Sequence, residues 1–195
     1  MGVLVAVSDD GGLVGFVERL GMHKDEPGQH PDAMALGEYL AQHGGSVVTA
    51  ESCTGGLIGG ALTSVVGSSG WFDRGWITYT NVAKQEQLGV ARQTLSDFGA
   101  VSEPVARQMA AGALAMAPRA TLALAVTGVA GPGGGSADKP VGLVWFGFAK
   151  RTDDDVVVSS VHQLFEGNRQ AVRQATVDFA LRQALVWVSS NRAAD

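Results

Sequence analysis

The chain has 195 residues and a formal net charge of -5, a length that suits one domain. Its single cysteine excludes an intramolecular disulfide framework and any multi-cysteine zinc site, and suits a reducing, cytoplasmic compartment. The acidic balance argues against direct nucleic-acid contact, which needs a basic face. With 46% hydrophobic and 17% charged residues, the composition supports a packed core rather than disorder.

Residues 1–32 read as an N-terminal extension and linker, and 33–195 as a single domain. The opening MGVLVAV has neither a basic n-region nor a cleavage site, so it is not read as a signal peptide. The polar run from His23 to Asp32 is turn-rich. Ala33 to His43 is helical in pattern and stops at Gly44-Gly45. Ser46 to Ala50 is short and β-branched, hence a strand. Thr54 to Val66 has helical spacing at Leu57, Ala61, Leu62 and Val65.

Trp71 to Thr80 reads as a strand and Asn81 to Gly89 as a short helix capped by Asn81. Ser102 caps the next helix, with Pro104 in its first turn, where a missing N–H costs nothing. Val105, Met109, Ala113 and Met116 fall on one face of that helix. Thr121 to Val126, Val141 to Ala149 and Val156 to Phe165 are apolar strands, and Arg169 to Ser190 is a closing helix with apolar residues at Val177, Leu181, Leu185 and Val188. The apolar run Val141 to Ala149 is about half the length of a membrane span, so no membrane association is expected. Helices alternating with strands apolar on both faces predict an α/β layered sheet.

Three segments carry candidate chemistry. In AESCTGG, Ala50 to Gly56, a strand ends and a helix begins, so the helix's unpaired N–H groups are expected to face whatever lies over the turn. Ser52 there is either a nucleophile or a helix cap. Cys53, the only thiol, is expected to be a packed spectator, because no histidine is near it in sequence to activate it. No two histidines have metal-ligand spacing, and no metal or cofactor is expected.

The second segment, ITYTNVAK, supplies Tyr79 and Lys84. These are five apart rather than the four of a short-chain dehydrogenase, and no G-x-G-x-x-G follows the first strand, which excludes that oxidoreductase class. A serine–lysine hydrolase remains, provided burial lowers the lysine pKa by about 2 to 3 units; a solvated surface lysine is the plainer alternative. The third segment, TGVAGPGGGSADKPVG from Thr127 to Gly142, has a backbone free to present N–H groups to an anion. It is no P-loop, since Gly-Lys-Ser/Thr is absent and a strand follows. Arg169, opening the last helix, is either a phosphate clamp or an exposed helix residue.

Taken in order, AESCTGG, the block from Gly67 to Lys84 (GSS-WF-RG-ITYTN-AK), GAVSEPV, TGVAGPGGGS and KPVG-VWF resemble the C-terminal domain of the CinA competence/damage-inducible proteins, over roughly Ala33 to Ser190. Stand-alone members of that family are nicotinamide-nucleotide amidases. The resemblance implies a three-layer α/β/α sandwich around a mostly parallel or mixed sheet, a homo-oligomer, and metal-independent hydrolysis of nicotinamide mononucleotide to nicotinate mononucleotide and ammonia. It implies Ser52 as nucleophile, Lys84 as base and Tyr79 as the group orienting or relaying the proton. Thr54, Gly55, Thr127, Gly128, Gly134, Ser136 and Arg169 are the implied substrate-binding residues; Asn168 stands where the family pattern has Asp. Two other readings stay open: a nucleotide-binding relative without turnover, and a competence- or DNA-damage-associated interaction protein.

Overall fold

The computed structural model describes residues 28–190 apart from residue 154; the expectations for residues 1–27 lie outside the described residues. The first helix, α1 (Pro31–Gln42), has proline in its first turn and Asp32 beside it, both favourable at a helix N-terminus. It ends where Gly44-Gly45 allow the chain to turn back, the Gly45 N–H reaching the Leu40 carbonyl. There follow β1 (Val47–Glu51), α2 (Leu57–Thr63), a 3-10 turn (Ser68–Gly70), β2 (Phe72–Ile77), α3 (Asn81–Leu88), α4 (Arg92–Phe98) and α5 (Glu103–Met116). The chain closes with β3 (Leu122–Gly128), β4 (Leu143–Arg151), β5 (Val156–Leu164) and α6 (Arg169–Ser190).

The strands form one mixed sheet in the order β2-β1-β3-β4-β5. β1 lies between β2 and β3 and is parallel to both, whereas β3–β4 and β4–β5 are antiparallel. All five residues of β1 are buried, as a central strand covered on both faces requires. β3 alternates by face: Leu122, Leu124 and Val126 join the core under α1, α2 and α6, together with Leu36, Ile58, Phe146 and Leu181. Ala123 and Ala125 join the opposite core, with Leu88, Val105, Met109 and Leu114. This is the expected α/β/α sandwich with a mixed sheet.

The small residues on the second face let α5 approach the sheet closely. A Cβ on Gly147 of β4 would lie 2.1 Å from the Ala106 carbonyl oxygen, so glycine is required there by contact rather than by φ. Within α5, Val105, Met109 and Ala113 are buried as the spacing predicts, but Met116 is 55% exposed, because it closes the last turn beyond the sheet. Ser102 precedes α5 without capping it through its side chain; its hydroxyl donates to the Gly99 carbonyl at 2.8 Å. The α3 cap is Thr80 rather than Asn81: Thr80 Oγ1 accepts from the Ala83 N–H at 3.1 Å. α4 was not expected from the sequence. It has seven residues and buries only Leu95, too little to print a helical period.

Candidate active site

The parallel part of the sheet decides where chemistry can gather. Glu51 of β1 is in register with Ile77 of β2 and Val126 of β3, so the residues that follow these three strands converge at one sheet edge, the usual ligand position in open α/β sheets. From β1 comes Ser52, from β2 Tyr79 on the segment leading into α3, and from β3 Thr127-Gly128 and the glycine loop. They line a cavity of about 280 Å³, with Cys53, Lys84, Ala100, Val101, Val129 to Gly131, Gly133, Gly134 and Arg169.

Lys84 enters this cavity from α3 and is 1% exposed. Its ammonium donates to Ser52 Oγ at 3.0 Å and to the Thr78 carbonyl at 2.7 Å. Burial lowers its pKa from 10.5 to about 8, opposed by the neighbouring Cys53, since a buried amine loses hydration mainly in its charged form. A lysine next to a buried serine hydroxyl and titrating near neutrality can accept the hydroxyl proton. The Cys53 thiol shares the cavity wall, but burial pushes it up to about 11, so it is protonated at neutral pH and a poor nucleophile. His30, His43 and His162 are absent from the wall.

Tyr79 and Arg169 face each other across the mouth. Arg169, from the first turn of α6, donates to Tyr79 Oη at 2.7 Å and to the Gly131 carbonyl at 2.9 Å. Tyr79 is 56% exposed. The glycine loop forms the remaining wall, with a cis bond between Gly131 and Pro132.

Not every residue expected at the site lines it. Thr127 does, but its hydroxyl donates to the Ala100 carbonyl at 2.8 Å. Thr54, Gly55 and Ser136 lie outside the cavity wall. Ser136 Oγ accepts from the Lys139 N–H at 3.1 Å and closes its own loop. Thr54 is fully buried and donates to Glu51 Oε2 at 2.7 Å. Gly128, Gly134 and Arg169 do line the cavity.

Glu51 accounts for where Thr54 points, and it corrects the expectation for the helix N-terminus. Its carboxylate, 1% exposed, accepts from the N–H groups of Gly56 at 2.9 Å, Ile58 at 3.1 Å and Gly59 at 2.8 Å. The unpaired N–H groups of α2 therefore face a residue of the chain itself instead of the cavity, an anion placed where the helix dipole favours one. The turn between them needs Gly55 and Gly56, whose φ angles are 62° and 99°, a region closed to most side chains. In this turn the Gly55 N–H returns to the Ser52 carbonyl, and the Cys53 N–H donates to no protein oxygen among the described residues. Sequence reasoning missed Glu51; an acid closing an apolar strand just before a glycine-started helix was the available signal. It also missed Arg173 of α6, which donates to the carbonyls of Cys53 at 3.1 Å and Thr54 at 2.7 Å.

The family model for the CinA C-terminal domain matches residues 30–187. The chain belongs to that family. It is 51% identical over 156 residues to the nicotinamide-nucleotide amidohydrolase PncC of Enterobacter agglomerans, covering 80% of this chain and 93% of that protein. It is 47% identical over 147 residues to the protein of the same name from Escherichia coli K12, covering 75% and 87%. Among solved structures, the competence/damage inducible protein CihA from Agrobacterium tumefaciens superposes with a TM-score of 0.71 at 47% identity, covering 84% of this chain and 98% of that one. The family membership expected from the motifs and the α/β architecture are thereby established. Among the described residues no helix is long and apolar enough to cross a membrane.

Proposed function

We propose that this CinA-family domain hydrolyses the carboxamide of nicotinamide mononucleotide to nicotinate mononucleotide and ammonia. The observation that carries the reading is the buried Lys84 amine 3.0 Å from Ser52 Oγ, and the names of the two PncC relatives supply the substrate. In its neutral form Lys84 takes the Ser52 proton as Oγ adds to the carboxamide carbon. The tetrahedral oxyanion is met by the Cys53 N–H, a type of donor whose removal elsewhere costs about 3–4 kcal/mol. Lys84 returns the proton to the leaving nitrogen, the C–N bond breaks and ammonia departs. Water, deprotonated by Lys84, then cleaves the Ser52 ester. Tyr79 orients or relays these protons from the mouth.

Arg169 and the N–H groups of the Gly131 to Gly134 loop take the ribose phosphate, the first through charge and the second through an open backbone. The chain works in the cytoplasm as a homo-oligomer, without nucleic acid. Ammonia release measured with nicotinamide mononucleotide and with nicotinamide tests the reading. Turnover of the mononucleotide only is expected; mononucleotide binding without ammonia release would identify a sensing relative instead.

A further inference from the structure

α6 places two arginines on one face, four residues apart, yet they reach different targets. Arg169 points to the cavity mouth. Arg173, half-buried, makes no salt bridge among the described residues and spends its guanidinium on two successive carbonyls, Cys53 at 3.1 Å from Nε and Thr54 at 2.7 Å from Nη2. Each peptide unit is planar, so holding a carbonyl also fixes the N–H on the other side of that bond. Arg173 thus sets the Cys53–Thr54 and Thr54–Gly55 planes, the second of which sends the Gly55 N–H back to the Ser52 carbonyl at 3.1 Å. From the other side the same turn is held by Glu51 through Thr54 Oγ1 and the Gly56 N–H. Between these two grips sits Ser52, whose hydroxyl, among the described residues, has Lys84 as its side-chain partner.

Resting on the amidase reading above, we infer that Arg173 is a positioning residue for the nucleophile: it fixes the turn after Ser52 so that Oγ stays in reach of Lys84 and the Cys53 N–H keeps its aim. It does this without touching substrate. The helix that supplies the mouth cation therefore also supplies the brace of the nucleophile turn, in a division of labour along one helix face.

The test is steady-state hydrolysis of nicotinamide mononucleotide by wild type, Arg173→Met, Arg173→Lys and Arg169→Met, each checked by thermal unfolding. Displacing a reacting group by about 1 Å costs on the order of 100-fold. Arg173→Met is expected to lower kcat by about that factor with KM within about threefold of wild type, the pattern of an interaction that serves the transition state. Arg173→Lys, which keeps a charged donor for one carbonyl, recovers part of kcat. Arg169→Met instead raises KM. An Arg173→Met enzyme with wild-type kcat, a loss confined to KM, or an Arg173→Lys no better than Arg173→Met at equal folded fraction each overturns the inference. Wild type that turns over no mononucleotide overturns the amidase reading instead. Should Arg173→Met not fold, Arg173→Lys against wild type carries the same kcat and KM comparison.

Discussion

Replacing Lys84 with methionine removes the amine and keeps most of the buried volume, so it separates chemistry from stability. A lysine that titrates at 10.5 when solvated and at about 8 in the fold carries a burial cost of about 3 kcal/mol while protonated, at about 1.4 kcal/mol for each tenfold change in proton affinity. Methionine removes that cost. It also removes the bond to the Thr78 carbonyl at 2.7 Å, leaving a buried acceptor unpaired at about 1–2 kcal/mol. At pH 7 the variant is therefore expected to be more stable than wild type by about 1–2 kcal/mol, while releasing no ammonia. For a domain of this size each kcal/mol moves Tm by about 2–4 °C. The sign reverses with pH. Below about 8 the lysine is protonated in both states and the difference is flat. Between about 8 and 10.5 the unfolded lysine still holds a proton that the folded one has released, so wild type gains stability as pH rises. Urea midpoints of both proteins from pH 7 to 10.5 should cross within that window. A stability difference independent of pH, or a variant less stable at pH 7, would refute the view that Lys84 is held partly neutral by burial.

Further outcomes follow from the same geometry. Ser52→Ala should abolish ammonia release and leave the far-ultraviolet spectrum and Tm close to wild type, since the hydroxyl's partner is the Lys84 amine; residual wild-type turnover would remove Ser52 from the mechanism. The wild-type rate should climb with pH through about 8 as Lys84 becomes neutral, and a flat pH–rate profile would exclude it as the base. Glu51→Gln should cost about 2–3 kcal/mol of stability, because an amide nitrogen cannot accept from the α2 backbone, and calorimetry should register a fall of roughly 5–10 °C. Arg169→Met should raise KM for the mononucleotide while a substrate analogue lacking the phosphate loses little, since its guanidinium stands at the mouth rather than at Ser52.

How much of this could be read beforehand depended on whether a residue's role was local. α6 shows its extent from Arg169 to Ser190 through its length and the buried apolar residues Val177, Leu181 and Val188, although its apolar residues are spread around the axis rather than kept to one face. β3 shows itself by an unbroken apolar run. α4, with only Leu95 buried, gives no such pattern; tertiary packing against α5 holds it rather than its own amphipathicity. The α3 cap moved one residue, from Asn81 to Thr80, because either side chain could accept from the first turn and only the path leaving β2 selects between them.

The site divides in the same way. Ser52, Lys84 and the glycine loop are legible as residue types suited to nucleophile, base and anion cradle, and their meeting follows from three parallel strands ending together. Glu51 and Arg173 act on backbone groups, and a backbone group leaves no trace in composition. Arg173 meets carbonyls about 120 residues away in sequence, which no spacing rule can anticipate. Glu51 changes the chemistry most. A carboxylate already on the α2 N–H groups excludes a second anion there, since two like charges at one helix end repel. On the amidase reading proposed above, the ligand's phosphate goes to Arg169 and the Gly131 to Gly134 loop, and its reacting carbon to Ser52. On that reading, a carboxylate that lines none of the cavity helps to set how the substrate lies in it.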